Sequence, residues 1–400
     1  MTTITKTLIF IVLMNSFLLN AIGQEENEYI NRPFQITLLP PIGTNGPVYR
    51  ECVNQISLNV LWGESAGLRG LELAGLANIE HQFVKGIQLA GFGNFTKGNT
   101  LGLSASGFMN MTQDLTGVSL AGFMTIGEEV KGLAGAGFMN ISDRVTGGQA
   151  SGFMNIAGEV TGAQASEFMN ISDAVIGAQV TGFMNVSGLV KGAQVSGFMN
   201  IGEDVMGAQV SGFMNIAENV QGTQVGFINI ADNYESGVPI GFINIIENGL
   251  HEFEVSKSEI WNASVGYRMG VDALYTQAFV GSHWTGQDDF WGFGVGIGSG
   301  FPITHYFKGS LDLISWQLIE GGRLWAKRPN LLEQARLTIE GRVFRHLSWF
   351  VGPTFNLLIV PFRYPEPGFL AHFSPWSVYE NASGVNYVKM WPGIQGGIRF

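Results

Sequence analysis

Apolar and polar residues alternate along most of this chain. Over residues 107–245 the alternation occurs within one repeated sequence motif. The motif reads G-A-Q-V-S-G-F-M-N-I, and a short joint of acidic or small residues and a valine follows it. Its phenylalanine recurs every 15 residues from Phe108 to Phe213, and further copies follow at Phe227 and Phe242. Degenerate copies upstream bring the array to about twelve, and a short fixed period of this kind indicates a repeat architecture.

Each copy favours strand and turn over helix. In the copy at residues 192–201, Gln, Ser, Phe and Asn alternate with Ala, Val, Met and Ile, which is the period of a β-strand. The joints carry turn-forming residues such as Asp173 and Glu203. Two glycines in every copy would each cost a helix about 1 kcal/mol, so we predict an all-β array.

Two β architectures fit a 15-residue copy. In a solenoid, each copy is one coil and equivalent residues stack about 4.8 Å apart in parallel ladders. In a meander, each copy is one antiparallel strand in the wall of a large barrel of roughly twenty strands. We favour the β-solenoid because the copies are nearly identical and because the copy beginning at Gly222 is one residue short. That deletion would reverse the faces of a continuous strand, whereas a coil corner absorbs it.

After Gly249 the repeat stops and longer alternating segments begin, apolar on one side and polar or glycine on the other. This pattern is typical of an antiparallel outer-membrane β-barrel, although a soluble β-sandwich also alternates. Seven strand candidates lie within 258–400, and residues 55–66 are a candidate for an eighth, since single-chain bacterial barrels have an even number of strands. The last candidate ends in Phe400, which we interpret as a C-terminal barrel-assembly residue.

The segments predict five parts of the chain. They are a signal peptide at 1–23, an irregular lead-in at 24–54, a candidate first barrel strand at 55–66, the repeat array at 67–249 and a barrel-like domain at 250–400. Only 13% of the residues are charged, against about 25% in typical domains. No apolar run beyond residue 23 approaches the ~20 residues of a spanning helix. Cys52 is the only cysteine, so no intrachain disulfide can form.

The chain resembles the bacterial surface-repeat proteins of spirochaetes and Bacteroidetes. The resemblance rests on the G-x-Q-x-[SG]-G-F-x-N units, the closing segment 237–242 and the ending Trp391-Pro392-Gly393 through Arg399-Phe400. It covers most of the chain beyond the signal peptide and implies an envelope or surface location. It carries over no catalytic residue.

Candidate chemistry is sparse. The six histidines lack metal-ligand spacing, and neither a G-x-S-x-G nor a G-x-G-x-x-G motif is present. The joints place acids along one edge, which is either a solvated turn face or a weak Ca²⁺ site, with the candidates Glu128, Asp143, Asp173 and Asp204. Charged residues on the polar faces of the C-terminal strands would plug a small barrel or line a channel: Arg268, Lys308, Asp312, Arg336, Glu340 and Arg342.

These features favour a non-enzymatic protein of the bacterial cell envelope with a structural or interaction role. We expect export through a cleaved signal peptide to the outer membrane or cell surface. The expected partners are outer-membrane lipid, the barrel-assembly machinery and an unidentified surface ligand, without a cofactor. The net charge of −11 disfavours nucleic acid. The alternative function is an outer-membrane pore or transport channel built from the repeat strands.

Overall fold

The structure is a computed structural model that describes residues 29–286, 289–320, 330–344, 346–361, 376–381 and 386–400. Within these residues the chain is all-β apart from one 3-10 helix, Gly46–Glu51. It forms two compact units that divide after Ala136. No helix among the described residues is long and apolar enough to cross a membrane. The expected signal peptide at 1–23 lies outside the described residues.

The first unit is a stack of coils whose strands pair in parallel, apart from the antiparallel pair formed by its first two strands. Its strands are β1 (Ile30–Leu39), β2 (Ile42–Gly43), β3 (Cys52–Asn59), β4 (Trp62–Ala74), β5 (Ala77–Ala90), β6 (Gly93–Thr96), β7 (Asn99–Ser106), β8 (Met109–Met111), β9 (Asp114–Ala121) and β10 (Met124–Ala136). Equivalent repeat positions face each other, as Gly117 and Gly132 do between β9 and β10. The first unit is therefore solenoid in form.

Two expectations for the N-terminal region are wrong. Residues 24–54 are not wholly irregular, because β1 pairs in parallel with β3, with Phe34 opposite Ile56. Residues 55–66 do not supply a barrel strand, because β3 also pairs in parallel with β4. The reason is visible in β3, where Leu58 is exposed while Ser57 and Asn59 are buried, so the segment is a degenerate coil.

The repeats of the second unit form a parallel solenoid of one strand per copy. Its strands are β11 (Met139–Ser151), β12 (Met154–Ser166), β13 (Met169–Thr181), β14 (Met184–Ser196), β15 (Met199–Ser211), β16 (Met214–Val225), β17 (Ile228–Ile240) and β18 (Ile243–Ile246). Successive strands pair in register, as Asn185 with Asn200. The solenoid prediction is confirmed, and the alternative of one large barrel that includes the repeats is wrong, because the repeat strands are parallel and not antiparallel.

The short copy behaves as its sequence predicts. Val210 still faces Val225, which is 15 residues later, whereas Met214 faces Ile228, which is 14 residues later. The missing residue is therefore absorbed in the turn between β16 and β17, and both strands keep their faces.

Amide side chains line the inside of the solenoid, beside a buried apolar cluster that includes Val190, Val205 and Val220. Asn170 donates to Asn185 (3.0 Å), Asn185 to Asn200 (2.9 Å) and Asn200 to Asn215 (3.0 Å), all fully buried. A second ladder of glutamines runs beside the asparagines, with Nε2 to Oε1 distances of 2.8–2.9 Å: Gln149, Gln164, Gln179, Gln194, Gln209 and Gln224. Because every coil supplies the same groups, the ladders hold the coils in register.

Glycine is required at one corner of every coil. Gly207 has a φ of +140°, and a Cβ there would lie 2.0 Å from the carbonyl oxygen of Gly192 in the coil before. Both the conformation and the space exclude a side chain, which explains the invariant glycine at the start of each copy.

The remainder of the second unit is an antiparallel sheet. Its strands are β19 (Leu250–Ser258), β20 (Ala263–Val271), β21 (Leu274–His283), β22 (Phe290–Pro302), β23 (Phe307–Glu320), β24 (Asn330–Phe344), β25 (Leu347–Pro361), β26 (Tyr379–Asn381) and β27 (Asn386–Arg399). Each strand pairs with its neighbour in the order β19 to β25, then β27 and the short β26. The first strand, β19, also pairs with β27, with Val255 opposite Ile398.

The strand that sequence analysis placed at 55–66 is supplied instead by β19. Strands β19 to β25 and β27 make eight long strands, which is the even number that was expected. The eighth strand is β19, whereas sequence analysis had assigned it to residues 55–66.

Candidate functional site

The antiparallel sheet has its polarity reversed relative to a water-soluble domain. One face exposes large apolar side chains, between 36% and 62% accessible: Val255, Val265, Val280, Val295, Ile297, Leu311, Leu313, Leu337, Ile339, Val351, Phe355, Ile394 and Ile398. The other face buries charged and amide side chains. Soluble domains seldom expose contiguous apolar patches above roughly 300–600 Å². The exposed face is therefore a candidate surface for lipid.

A network of ion pairs lies on the buried face, centred on Arg336. Its guanidinium group donates to both carboxylate oxygens of Glu254 (2.6 and 3.0 Å) and to Oδ2 of Asp312 (2.7 Å). Arg399 donates to Glu254 (2.9 Å) and to Glu340 (2.6 Å). Both arginines, Glu254 and Asp312 are fully buried. Such burial is tolerated only where each charge has close partners.

Arg268 and Tyr275 extend this network. The guanidinium carbon of Arg268 lies 4.1 Å from the centroid of the Tyr275 ring, and its Nη1 donates to Glu252 at 2.8 Å. The hydroxyl of Tyr275 donates to Oδ1 of Asp312 at 2.6 Å. Arg268 and Tyr275 therefore join the charges on β19, β20 and β23 through hydrogen bonds, a cation–π contact and a longer ion pair from Arg268 to Glu340 (3.9 Å).

Away from the charges, aromatic and aliphatic side chains fill the buried face. The ring centroids of Trp261 and Trp316 are 4.6 Å apart, and Phe279 lies 5.6 Å from Trp316. The same cluster includes Ile260, Phe290, Ile314, Leu318, Leu332, Leu358, Val360, Tyr387 and Trp391. The buried face is thus occupied by packed side chains along both its charged and its apolar part.

The structure brings together only some of the charges that sequence analysis placed on this face. Arg268, Asp312 and Arg336 join the network and Glu340 lies at its edge. Arg342 is exposed, and Lys308 pairs with Asp272 outside the network. Glu254 and Arg399 were missed. Both alternate with apolar residues in the sequence, as in Phe253-Glu254-Val255 and Ile398-Arg399-Phe400. Glu254 was missed because β19 had not been recognised as a strand, whereas Arg399 lies on a strand that was predicted.

Phe400 lies where the first and last long strands meet. Its backbone exchanges two hydrogen bonds with Phe253, at 2.8 and 3.0 Å, and its ring stacks on the Phe253 ring with centroids 6.0 Å apart. With Ile394 and Ile398 it belongs to the exposed apolar face. The predicted placement of these residues on one face is therefore what the structure has, and the role in assembly stays a prediction.

The acidic joints form an edge of the solenoid in each unit, and Asp143, Asp173 and Asp204 are exposed there, with Glu128 half-buried. Equivalent carboxylates are spaced apart: the positions between Asp143, Asp173 and Glu203 are glycines. Asp204 accepts from Asn219 of the next coil at 2.7 Å. In the part of the chain that the structure describes, no three acidic, histidine or cysteine side chains are grouped to hold a metal ion. We therefore do not propose a Ca²⁺ site at the joints.

An acidic pair that sequence analysis missed lies inside the first unit. Glu72 occupies the glutamine position of its coil, facing Gln88, and Glu80 lies nearby; both are fully buried. Glu72 accepts from Asn59 (3.0 Å) and Gln88 (2.9 Å), and Glu80 accepts from the hydroxyl of Ser65 (2.7 Å). Burial raises the pKa of Glu72, and burial together with the charge of Glu72 raises the pKa of Glu80 well above the ordinary 4.5. Both effects raise the pKa because they favour the neutral form of the Glu80 carboxyl group beside Glu72.

Comparison of the chain with known proteins gives no match. No family model, no curated protein and no solved structure matches the chain.

Replacing Arg336 by Gln is expected to lower the free energy of unfolding by about 3–5 kcal/mol, because Glu254 and Asp312 would stay buried without their cation. Urea denaturation followed by tryptophan fluorescence measures the change. Arg342→Gln, which removes the same charge from an exposed position on the same strand, is the control and should stay within about 0.5 kcal/mol of wild type. Equal effects of the two substitutions would contradict the network.

Replacing Glu80 by Gln is expected to remove part of the pH dependence of stability. A raised folded-state pKa means that the contribution of the neutral carboxyl group is fully present below pH 4.5 and is lost as the pH rises toward the folded-state pKa. Glu80→Gln should therefore match wild type at pH 4 and have a higher urea midpoint by circular dichroism at pH 8. The control is Glu51→Gln, at an exposed position. A Glu80→Gln protein no more stable than wild type at pH 8 would exclude the mechanism.

Proposed function

We propose that residues 250–400 form a closed, eight-stranded outer-membrane barrel that anchors a β-solenoid at the bacterial cell envelope. The observation that carries the proposal is the reversed polarity of the sheet, with Arg336 and Glu254 buried and residues such as Val280 and Leu313 exposed. Pairing of β19 with β27 supports closure, because an unpaired edge would leave backbone groups without partners in lipid. Eight strands enclose a space that side chains can fill.

The same features support an outer-membrane location with lipid and the barrel-assembly machinery as partners. The apolar face would contact acyl chains, and Phe400, exposed at the last strand, would be available to the assembly machinery. The apparent signal peptide and the resemblance to bacterial surface-repeat proteins point to the same compartment. The role that follows is structural or interactive and non-enzymatic.

An anchor agrees better with the geometry than a pore does. The pore alternative depended on repeat strands that line a wide barrel, and those strands stack in parallel as coils. A channel through the eight-stranded sheet would have to displace the ion pairs of Arg336 and Arg399 and the packed Trp261 and Trp316. In this arrangement the solenoid would be the part of the protein that binds an unidentified surface ligand.

The proposal is tested by folding the protein from urea into phosphatidylcholine vesicles with Val280 replaced by Lys. A lysine on the lipid face of a barrel costs up to about 2–4 kcal/mol, depending on its depth, so the variant should fold less completely and should need a lower urea concentration to fold. The fraction that migrates in its folded position during unheated electrophoresis measures insertion. Val280→Leu, which keeps the apolar surface, is the control and should behave as wild type.

Folding of the wild type to a monodisperse monomer in buffer without lipid or detergent, with Val280→Lys equally stable, would contradict an outer-membrane barrel.

A further inference from the structure

The solenoid of the second unit is apolar on the outside as well. In the coil around Phe198, Gln194 and Asn200 point inward and are fully buried, while Val195 and Phe198 are each 38% exposed. The same positions recur along the unit, with exposed apolar side chains at Phe168, Val180, Phe183, Val195, Phe198, Val210, Phe213, Phe227, Ile240 and Phe242. These coils therefore bury the amides and the joint valines, such as Val190 and Val205, and leave a second set of apolar side chains outside.

The phenylalanines of these coils stack into one continuous ridge, which we call the Phe ridge, from Phe138 to Phe242. Neighbouring ring centroids are 4.8–5.1 Å apart as far as Phe213, with planes within 11° of parallel. Seven coil spacings of about 4.8 Å make the ridge roughly 34 Å long. The rings become more exposed toward its end, from 38% at Phe213 to 56% at Phe242.

Charged side chains are kept away from the Phe ridge. In the coils of β12 to β15 they lie in the joint and just after it, at Glu159, Lys191, Glu203 and Asp204, where they are partly or fully exposed. The exception on the ridge is Glu167, which replaces the glycine before Phe168. Each coil is thus divided into an apolar corner and a charged corner, which is the distribution of a structure that lies at a membrane surface.

The end of the Phe ridge meets the apolar face of the antiparallel sheet. Phe242 and Ile243 of the last coil line a cleft of about 620 Å³ together with sheet residues that include Val295, Ile297 and Leu313. Those sheet residues belong to the face that we assign to lipid. The two apolar surfaces of the second unit are therefore continuous.

We propose that the Phe ridge is a lipid-binding surface, so that the solenoid of the second unit lies against the same bilayer that surrounds the barrel. This inference rests on the proposed outer-membrane anchor. Lipid is the occupant because the ridge continues a lipid-facing surface and because its flanking positions present Ala, Val, Met and Ile without the hydrogen-bonding groups that a specific protein interface carries. The charged corner, with Glu203 and Asp204, then faces water.

The experiment places an environment-sensitive fluorophore on single cysteines in a Cys52→Ser background, in the full chain folded into phosphatidylcholine–phosphatidylglycerol vesicles. Val195→Cys reports on the ridge, Glu203→Cys on the charged corner and Val280→Cys on the barrel. Val210→Cys repeats the ridge position in the next coil in case the first variant does not fold. Quenching by a nitroxide on the lipid chain is compared with quenching by iodide in the water.

The proposal predicts several-fold stronger quenching of the Val195 and Val210 labels by the lipid nitroxide than by iodide, and the reverse at Glu203. A ridge label quenched mainly by iodide, with the Val280 label still quenched by lipid, would overturn the ridge proposal and leave the anchor intact. If the Val280 label is also quenched mainly by iodide, the anchor fails as well. A ridge label that is protected from both quenchers, and released by diluting the protein with excess lipid, would assign the ridge to a second copy of the chain and overturn lipid binding.

Discussion

The hydrogen-bonded ladder of buried asparagines is the constraint on which the solenoid depends. Each side chain must place one N–H on the asparagine of the next coil and another on a backbone carbonyl, as Asn200 does with Asn215 (3.0 Å) and Val210 (2.8 Å). A buried amide that loses its partners costs about 1–3 kcal/mol, so a shift of register would be expensive in every coil at once. This cost explains why the regular copies of the second unit keep a length of 15 residues and why the one short copy loses its residue in a turn.

The ladders also determine which side chains the coils expose. Since amides and the valines of the joints, such as Val190 and Val205, occupy the inside, the alternating positions of each strand place other apolar residues, such as Val195 and Phe198, on the surface. The antiparallel sheet repeats this inversion by a different route, with Arg336 held between Glu254 and Asp312 and apolar residues outside. Two parts of the second unit that share no sequence pattern thus both expose apolar side chains. Removing a partner from either interior should be costly, because the polar group left behind would be buried without a hydrogen bond.

The period of the repeat fitted both a solenoid and a barrel wall, and the near identity of the copies together with the one short copy favoured the solenoid. Alternation likewise predicted the antiparallel strands after Gly249. What alternation does not reveal is pairing between distant residues. Glu254 and Arg336 are 82 positions apart, and the pairing of β19 with β27, of β27 with β25 and of β25 with β24 brings them together.

Sequence analysis missed two other features, the strand β19 and the buried pair Glu72 and Glu80, and the reason lies in the composition of each segment. The strand β19 contains three charged residues in Leu250–Ser258 besides His251, and its buried face therefore resembled a surface loop. The pair Glu72 and Glu80 occupies positions that hold Gln or small residues in the regular copies, but the degenerate first coils conceal that equivalence. In both cases charge at a buried position was the signal, and it is readable only once the coil or strand has been aligned.

The stacking of the coils is tested most directly by spin labels at Asp204→Cys and Asn219→Cys in a Cys52→Ser background. These residues face each other on adjacent coils and are hydrogen-bonded at 2.7 Å. Parallel stacking in register places the two backbones about 5 Å apart, so the doubly labelled protein should show strong dipolar broadening that neither single label shows. A spectrum equal to the sum of the single-label spectra, with a separation near the ~40 Å length of an antiparallel strand, would contradict the account.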